Sequence, residues 1–447
     1  MMRLAVLLSF CLLPLCGLAA TPPNVIIILA DDMAIGDLSY FNGGLTRTPN
    51  LDRLIDDGLW FSRAYSGSPV CSPSRAALLT GRYPHRTGVV SLDMNKEPLL
   101  TRLHKDETTL ANVFAENGYR TGLVGKWHTG MGAGYGPLSR GFQEFEGFYG
   151  SDKTAYFNYV IQTGDSPDKP KEATDQYLTD ELSKRAVSFV RRHADHPFFL
   201  HLAHYAPHRP LEAPEAAIQP YLKTGLNPEV ATIYAMVEIM DRGIGELIAE
   251  LEKLGIRKNT LIVFASDNGP DTVVPERFNV RLRGGKYQTY EGGIHVPLVM
   301  SCPGLWKAGV RDETVHFTDL FPTLIELCGL KHEPKNKLDG VSLVPLLTGK
   351  GQFAAPARFW QWNRAQPKYG HNAALRDGPW KLVRPYVTKN LIKKGETPAA
   401  PVLYHMDSDP QETQDLSQQH PARFEQMKSA LEAWCQEVEK HRQRTVP

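Results

Sequence analysis

Cysteine is scarce in this chain, and the spacing of the few that occur excludes two common uses. Six cysteines are spread over 447 residues. Two lie in the apolar N-terminal segment, and the other four are far apart, at Cys71, Cys302, Cys328 and Cys435. Neither a dense disulfide framework nor a closely spaced zinc-binding pair is therefore expected. A single disulfide among the last three cysteines remains open.

The chain also lacks an excess of charge of either sign. Fifty lysines and arginines stand against 49 acidic residues, for a formal net charge of +1. This balance gives no reason to expect a nucleic acid or a membrane surface as a partner. No internal repeat and no low-complexity tract is present. Because the net charge is so small, an anionic ligand would have to be held by charged residues at its own binding site.

A long apolar run occurs only at the N-terminus. Residues Met1–Ala20 begin with the basic Arg3, continue with mostly apolar residues and end in small ones, which is typical of a secretory signal. Pro14 interrupts the run, which is also short for a membrane span. Cys16 leaves a lipid anchor as an alternative, but we expect a cleaved signal and an exported protein, periplasmic or secreted.

Buried strands alternate with amphipathic helices along the rest of the chain. The runs Asn24–Ala30 and Thr260–Ala265 are continuously apolar and rich in β-branched residues, which predicts buried parallel strands. Apolar residues recur at helical spacing in Tyr177–Arg192 and Ala231–Leu254. This alternation predicts an α/β fold, with a mostly parallel sheet covered by helices on both faces.

Oxygen-bearing side chains follow both of these apolar runs. Asp31 and Asp32 come directly after the first run, and Asp267 and Asn268 follow the second. If both strands belong to one parallel sheet, these residues meet at the edge where open α/β sheets bind ligands. Hard oxygen donors suit Ca²⁺ or Mg²⁺ better than zinc, with calcium preferred. Solvated loop acids are the alternative.

The stretch Cys71–Arg82 has the pattern of a helix start. We expect Ser72 to cap the helix, Pro73 to take its first position and Gly81 to end it. Cys71 would then lie just before the helix, where free backbone N–H groups favour an anion.

A nucleophile and a cation would meet at this helix start, because Arg75 lies in the first turn on about the same side as Cys71. A free or disulfide-bonded cysteine beside an ordinary helix is the alternative. The gap from cysteine to arginine is too short for the phosphate loop of a cysteine phosphatase.

Two long segments resemble the signatures of the type I sulfatases. Cys71–Pro84 contains Cys-x-Pro-x-Arg, and Gly118–Gly130 matches Gly-Tyr-x-Thr-x-x-x-Gly-Lys-Trp-His-x-Gly. The resemblance covers nearly the whole chain after the signal and implies an alkaline-phosphatase-like fold. It also implies that a maturase oxidises Cys71 to formylglycine. One calcium would be bound by that residue together with four others: Asp31, Asp32, Asp267 and Asn268.

The same resemblance implies roles for the basic residues. Lys126 and His128 would bind the sulfate oxygens and the aldehyde hydrate, and Lys286 would be the second active-site lysine. His208, in Pro-His-x-Pro, would protonate the leaving alcohol. His128 would take a proton from the second hydroxyl of the hydrate, and the two lysines with Arg75 would stabilise charge.

Two details concern the later part of the chain. Glycines around Lys286 should allow close backbone approach to a ligand. His295 stands where the sulfatase pattern usually has arginine.

A catalytic domain is expected over residues 21–335, followed over 336–447 by a smaller α+β unit. In this unit an antiparallel hairpin is expected at Ala374–Val383 and a closing helix at Ala422–Val438.

The substrate class is the remaining inference. Gly141–Gly150 and Tyr156–Tyr159 are rich in aromatic residues that could stack on sugars or pack in the core. With the expected export, they favour a sulfated carbohydrate. A phosphonate monoester or phosphodiester hydrolase of the same superfamily is the first alternative, and a non-catalytic carbohydrate-binding relative is the second.

Overall fold

The computed structural model describes residues 22–150, 155–164, 171–174, 176–275, 277–386 and 400–443. The expected signal at Met1–Ala20 lies outside these residues. None of the helices within the described ranges combines the length and apolar character that crossing a bilayer requires.

Sixteen strands occur in the described residues, and they form three sheets. In chain order they are β1 (Asn24–Ala30), β2 (Leu59–Phe61), β3 (Ala64–Tyr65), β4 (Arg120–Lys126), β5 (Glu144–Phe148), β6 (Tyr159–Gln162), β7 (Lys171–Thr174), β8 (Phe198–Ala203), β9 (Thr260–Ser266), β10 (Leu298–Ser301), β11 (Gly309–Arg311), β12 (Val315–His316), β13 (Arg358–Gln361), β14 (Ala373–Asp377), β15 (Trp380–Arg384) and β16 (Val402–His405).

Twelve α-helices occur in the described part of the chain. They are α1 (Ser39–Asn42), α2 (Pro49–Asp56), α3 (Cys71–Thr80), α4 (Pro84–Thr87), α5 (Leu110–Glu116), α6 (Leu178–His193), α7 (Glu215–Leu222), α8 (Pro228–Lys253), α9 (Glu291–Ile294), α10 (Leu320–Leu327), α11 (Val344–Thr348) and α12 (Pro421–Arg442).

The large sheet contains ten strands in the order β11-β2-β10-β9-β1-β8-β4-β5-β6-β7. Its five central strands, from β9 to β5, run parallel to one another. Antiparallel pairings occur where β10 meets β9 and β2, and where β6 meets β5 and β7. The predicted mixed, mostly parallel sheet is confirmed.

Helices cover both faces of this sheet because the central strands are apolar on both sides. Along β1, Ile26 and Ile28 pack with α2, α6, α7 and α8, whereas Val25, Ile27 and Leu29 pack with α3, α5 and α10. All five side chains are fully buried. Burial of each such side chain stabilises the fold by about 1.5–3 kcal/mol.

The C-terminal unit is a four-stranded antiparallel sheet, β13-β14-β15-β16, with α12 on one face. Its other face packs against the large domain through Tyr65, Tyr290 and Ile294. The expected hairpin, with its turn after Asp377, and the expected closing helix are both present. Leu343 still packs in the core of the large domain, and the domain division at residue 336 stays a prediction.

Candidate active site

The carboxylates expected at the sheet edge lie together at the C-terminal ends of β1 and β9. Ala30 pairs with Ser266 in the parallel register, so the residues that follow the two strands are level. The Asp32 backbone N–H donates to Asp267 Oδ1 at 3.2 Å, and Asn268 Nδ2 donates to Asp32 Oδ1 at 2.7 Å. Asp31, Asp32, Asp267 and Asn268 are all at most 1% exposed.

Two oxygens in this cluster fit a cation, because they are buried and have no hydrogen-bond partner among the described residues. They are Asp31 Oδ1 and Asn268 Oδ1. Ligand atoms of Asp31, Asp32, Cys71 and His208 also lie within 4.8 Å of one another. A donor set dominated by carboxylate and amide oxygens suits a hard cation such as Ca²⁺. The residues present therefore fit the calcium site that the sequence predicts.

Three buried basic residues pair with these carboxylates. Lys126 Nζ lies 2.6 Å from Asp31 Oδ2, and Lys286 Nζ lies 2.6 Å from Asp32 Oδ2. Burial raises the pKa of Asp31, but Lys126 and the other nearby cations together outweigh burial, and the net effect is a pKa well below the usual value. Burial lowers the pKa of Lys286, but Asp32 and the other nearby acidic groups together reverse this, and the lysine stays charged.

The guanidinium group of Arg75 donates hydrogen bonds to other groups of the protein. Its Nε and Nη2 donate to Asp267 Oδ2 at 2.9 and 2.7 Å, and its Nη1 donates to the Lys126 carbonyl at 3.0 Å. Burial and the neighbouring Asp31 nevertheless raise the pKa of Asp267, and a bound cation would relieve that repulsion. Arg75 thus joins the end of β9 to the end of β4.

Helix α3 begins earlier than the sequence suggested. Cys71 is its first residue, and Val70, in an extended conformation, precedes it without a side-chain cap. The expected cap, Ser72, is wrong: its Oγ is buried without a partner among the described residues. Pro73 occupies the third position, where a missing N–H is still tolerated. Gly81 ends the helix in the left-handed region (φ 69°), as predicted.

The Cys71 thiol lies at the centre of this charge cluster and is 2% exposed. Burial raises its pKa, but Lys126 and Lys286 outweigh burial and lower the pKa to about 7. The same lysines would attract a tetrahedral oxyanion such as a sulfate group.

His128 follows β4 and has a defined tautomer. Its Nε2 lies 2.9 Å from the Leu92 carbonyl oxygen, which can only accept, so Nε2 carries the proton. Its Nδ1 is buried with no hydrogen-bond partner among the described residues and is an acceptor. Burial, reinforced by Lys126, lowers the pKa of this ring well below its ordinary value. The neutral ring can therefore take up a proton at Nδ1.

His208 is held by the opposite nitrogen. Its Nδ1 donates to the Arg209 carbonyl at 2.6 Å, and its Nε2 is 3.7 Å from Asp32 Oδ2. His201 and His204, on the same segment, are buried in the core, where burial lowers the pKa of each to about 3. Only His208 of these three reaches the carboxylate cluster.

The glycines near Lys286 pack closely against neighbouring backbone, and their approach to a ligand stays a prediction. A Cβ on Gly292 would lie 2.3 Å from the Gly284 carbonyl oxygen, and one on Gly293 would lie 1.9 Å from that of Gln288. Only glycine fits at these positions. The compact loop places Lys286 so that its backbone N–H donates to Pro270 and its Nζ reaches Asp32.

His295 has a structural position in the interface with the C-terminal unit. Its Nε2 lies 2.9 Å from the Ser62 carbonyl oxygen, and its Nδ1 lies 3.2 Å from Glu291 Oε2. Glu291 in turn pairs with Lys381 of β15 at 2.8 Å. His295, which replaces the usual arginine, is thus part of a buried network of polar contacts between the large domain and the C-terminal unit.

A cavity of about 480 Å³ opens above Cys71 and is the candidate substrate site. Its lining residues are Cys71, Leu92, Asp93, Lys96, His208, Arg209, Pro210, Lys286, Tyr287 and Arg364. Sequence reasoning missed the rim residues, of which Arg364 comes from the C-terminal unit. Tyr287 follows Lys286 directly, and Arg209 and Pro210 belong to the Pro-His-x-Pro motif, so these three had a sequence signal nearby.

The aromatic segments that were candidates for sugar binding are core elements. Phe142, Phe145, Phe148, Tyr156 and Tyr159 are all at most 6% exposed and pack in the two hydrophobic clusters of the large domain. Of the two alternatives, core packing is correct, and these segments carry no argument for a carbohydrate substrate.

Family models cover nearly the whole chain. The sulfatase model matches residues 23–330, and a model for the C-terminal part of N-sulphoglucosamine sulphohydrolase matches residues 285–441. The N-acetylgalactosamine-6-sulfatase of Rattus norvegicus is 30% identical, with 96% of this chain and 87% of the relative covered. Arylsulfatase A of Homo sapiens is 32% identical, with 90% and 84% covered.

Solved structures agree with these matches. The crystal structure of Ps i-CgsB in complex with k-i-k-neocarrahexaose has a TM-score of 0.83 at 31% identity, covering 96% of this chain and 95% of the other. The phosphonate monoester hydrolase of Agrobacterium radiobacter, with a TM-score of 0.67 at 22% identity, covers 93% of this chain and 96% of the other and shares the fold. The alkaline-phosphatase-like fold is confirmed, and the chain belongs to the sulfatase family of enzymes that hydrolyse sulfate esters.

Proposed function

We propose that this sulfatase hydrolyses sulfate monoesters of a sulfated carbohydrate, using formylglycine formed from Cys71. The observation that carries the proposal is the position of Cys71, which lines the cavity beside Lys286, with Lys126 paired to the carboxylate cluster. The carbohydrate class is supported by the names of the relatives, which include an N-acetylgalactosamine-6-sulfatase and a structure in complex with a neocarrahexaose.

One Ca²⁺ would be held by Asp31, Asp32, Asp267, Asn268 and the modified Cys71. The cation would supply positive charge that stabilises negative charge developing on the nucleophilic hydroxyl. Among the protein groups, the side chains of Lys126 and Lys286 keep two of these carboxylates in place through contacts of 2.6 Å. Arg75 does the same for Asp267. We therefore assign Arg75 a positioning role rather than direct contact with sulfate.

Charge on the transferred group explains the two lysines. A sulfuryl group carries negative charge on its oxygens throughout transfer, so catalysis needs a positioned nucleophile and fixed cations. The hydrate of formylglycine supplies the hydroxyl nucleophile at position 71. Lys126 and Lys286, both at most 3% exposed, stabilise the oxygens without having to be reorganised, because their carboxylate partners already fix them.

Two histidines divide the proton transfers. His208, whose side chain is 11% exposed at the cavity wall, donates a proton to the leaving alcohol from Nε2. His128 Nδ1, unpartnered in the described structure, accepts a proton from the second hydroxyl, which expels sulfate and restores the aldehyde. The Leu92 carbonyl holds the His128 ring through Nε2, and the Arg209 carbonyl holds the His208 ring through Nδ1. In each ring the other nitrogen is the one assigned to proton transfer.

The proposal extends to maturation and export. A formylglycine-generating maturase is the expected transient partner, and it would act on the segment that contains Cys71. The leader at Met1–Ala20 supports export to the periplasm or the medium.

Rates on matched chromogenic esters test this function. Sulfate monoester, phosphate monoester, phosphate diester and phosphonate monoester of 4-nitrophenol share one leaving group, so differences in kcat/KM report the transferred group. The proposal predicts the highest kcat/KM for the sulfate. A preference for the phosphonate or the diester would favour the rival hydrolase, and inactivity of matured enzyme toward all esters and sulfated sugars would favour a non-catalytic relative.

A further inference from the structure

The mouth of the active-site cavity carries a cation that the reaction at Cys71 does not use. This cation is Arg364, in the segment between β13 and β14 of the C-terminal unit. We propose that Arg364 binds a second anionic group of the substrate, a sulfate or a carboxylate, on the same sugar or on its neighbour. The inference rests on the proposed function, because it presumes a sulfated carbohydrate in this cavity.

Arg364 and the catalytic centre share one wall. The Arg364 guanidinium lies 5.6 Å from the centre of the Tyr287 ring, and Lys286 Nζ lies 5.7 Å from the same ring. Tyr287 thus connects the lysine that pairs with Asp32 to the arginine at the rim. A ligand whose sulfate reaches Lys286 lies near Tyr287 and can place a neighbouring group beside Arg364.

The other cations of the rim are already paired. Lys96 Nζ lies 3.1 Å from Asp93 Oδ2, and Arg209 Nε lies 2.9 Å from Asp271 Oδ2. Arg364 has no carboxylate partner within the ranges that the structure describes. Its guanidinium is therefore the cavity cation whose charge remains available to a ligand.

The backbone that carries Arg364 is fixed from inside the C-terminal unit. The buried Asn363 donates from Nδ2 to the carbonyls of Arg364 and Gln366, each at 2.7 Å, and its Oδ1 accepts from the Lys368 backbone N–H. A charged side chain on a fixed, hydrogen-bonded turn loses less entropy on binding than one on a loose loop.

A second anchor joins this segment to the catalytic loop. Asn372, fully buried, donates from Nδ2 to the carbonyls of Tyr287 and Trp362 at 2.7 and 2.6 Å. Its Oδ1 accepts from the Thr289 backbone N–H at 3.1 Å. The distance between the subsite and Lys286 is therefore set by the fold, as a subsite that reads the spacing of two charges requires.

The chemistry of arginine favours an anion over a neutral hydroxyl. The planar guanidinium presents paired donors that match the oxygens of sulfate and carboxylate, and hydrogen bonds between charged partners are about twice as strong as neutral ones. Loss of such a contact is expected to lower affinity by roughly tenfold or more. The loss should fall on KM, because Arg364 lies away from the atoms that react.

Three oligosaccharides that share one cleavable sulfate ester test the inference. They differ only at one neighbouring position, which carries a sulfate, a carboxylate or a hydroxyl. Wild type, Arg364→Gln, Arg364→Lys and the control Arg120→Gln are compared by kcat and KM on each, after thermal melting has confirmed folding. Arg120 is an exposed arginine at the start of β4, at the opposite edge of the sheet from the cavity.

We expect the wild type to prefer at least one doubly charged substrate, and the preferred one identifies the second group. Arg364→Gln should reduce that preference at least tenfold through KM, Arg364→Lys should reduce it less, and Arg120→Gln should leave it unchanged. A preference that survives in Arg364→Gln, or no preference in the wild type, would overturn the inference while leaving the proposed function intact. A wild type that cleaves none of the three would overturn both.

Discussion

Lys286 Nζ lies 2.6 Å from Asp32 Oδ2, which joins the glycine-rich loop after β9 to the end of β1. The matching contact of Lys126 with Asp31, also 2.6 Å, joins the end of β4 to the same strand end. Two lysines thus approach one carboxylate pair from different segments. The charge balance of the site depends on residues that are far apart in the sequence.

Removal of one lysine charge should impair the reaction strongly. Lys286→Met is expected to lower kcat/KM toward 4-nitrophenyl sulfate by about 100- to 1000-fold, the range seen when one oxyanion donor is lost. Asp32 would also lose its partner, so the melting temperature should fall. Lys258→Met, at an exposed lysine far from the cavity, is the control. A change in kcat/KM of less than tenfold in the folded Lys286 variant would rule out the role assigned to this lysine.

Removal of the metal should lower both activity and stability. A cation that binds only the native state stabilises it by an amount that depends on its concentration, so chelation should lower the melting temperature. Calcium should restore both properties, and elemental analysis should find about one calcium per chain. Asp31→Asn should weaken the response to calcium, while Asp312→Asn, at an exposed aspartate, should not. Stoichiometric zinc without calcium or magnesium would contradict the assignment.

The acid role of His208 predicts dependence on the leaving group. An aryl alcohol leaves readily without a proton, whereas a sugar alcohol needs one. His208→Ala should therefore lower kcat on a sulfated sugar much more than kcat on 4-nitrophenyl sulfate. His196→Ala, at an exposed histidine outside the site, serves as the control. Equal losses on the two substrates would show that His208 does not protonate the leaving group.

A buried histidine outside the site should make stability depend on pH. Burial lowers the pKa of His85 to about 4, against 6.5 for an exposed histidine. The unfolded chain then takes up a proton that the folded chain refuses, so stability is lost as the pH falls from about 6.5 towards 4. The shift corresponds to about 2 kcal/mol lost at pH 5 relative to pH 8.

The variant His85→Gln tests this dependence because it keeps a donor for Gln361, which His85 Nε2 contacts at 2.9 Å. The decrease in unfolding free energy between pH 8 and pH 5 should be about 2 kcal/mol smaller in the variant than in the wild type. The comparison uses each protein as its own reference, so any packing loss against Trp434 and Tyr369 cancels. An identical decrease in both proteins would exclude His85 as a source.

The sequence predicted much of the fold because periodicity is a local signal. The continuous apolar run of Asn24–Ala30 is typical of a buried strand. The helical spacing of apolar residues before Lys253 is typical of a helix packed on a core. The helix start was misplaced because an extended Val70 precedes Cys71 without any side-chain cap. Caps are individual hydrogen bonds, and a serine near a helix start does not guarantee one.

The catalytic centre was predictable to the extent that signatures place its residues in order. The hydrogen-bond and ion-pair partners of those residues could not be predicted from the sequence. That Arg75 binds Asp267, and that His128 donates to Leu92, depends on how distant segments pack. Arg364 reaches the cavity only because the C-terminal sheet docks on Tyr65 and Tyr290, a contact that no local pattern encodes.

The central claim is that catalysis depends on an aldehyde formed from Cys71, and peptide mass spectrometry tests it most directly. Enzyme produced with and without a formylglycine-generating maturase is digested, and the aldehyde fraction at position 71 is compared with specific activity toward 4-nitrophenyl sulfate. Cys71→Ser is the control. We predict that activity rises in proportion to the aldehyde fraction and extrapolates to nearly zero when none is present. Full activity in a preparation in which Cys71 is entirely an unmodified thiol would contradict the account.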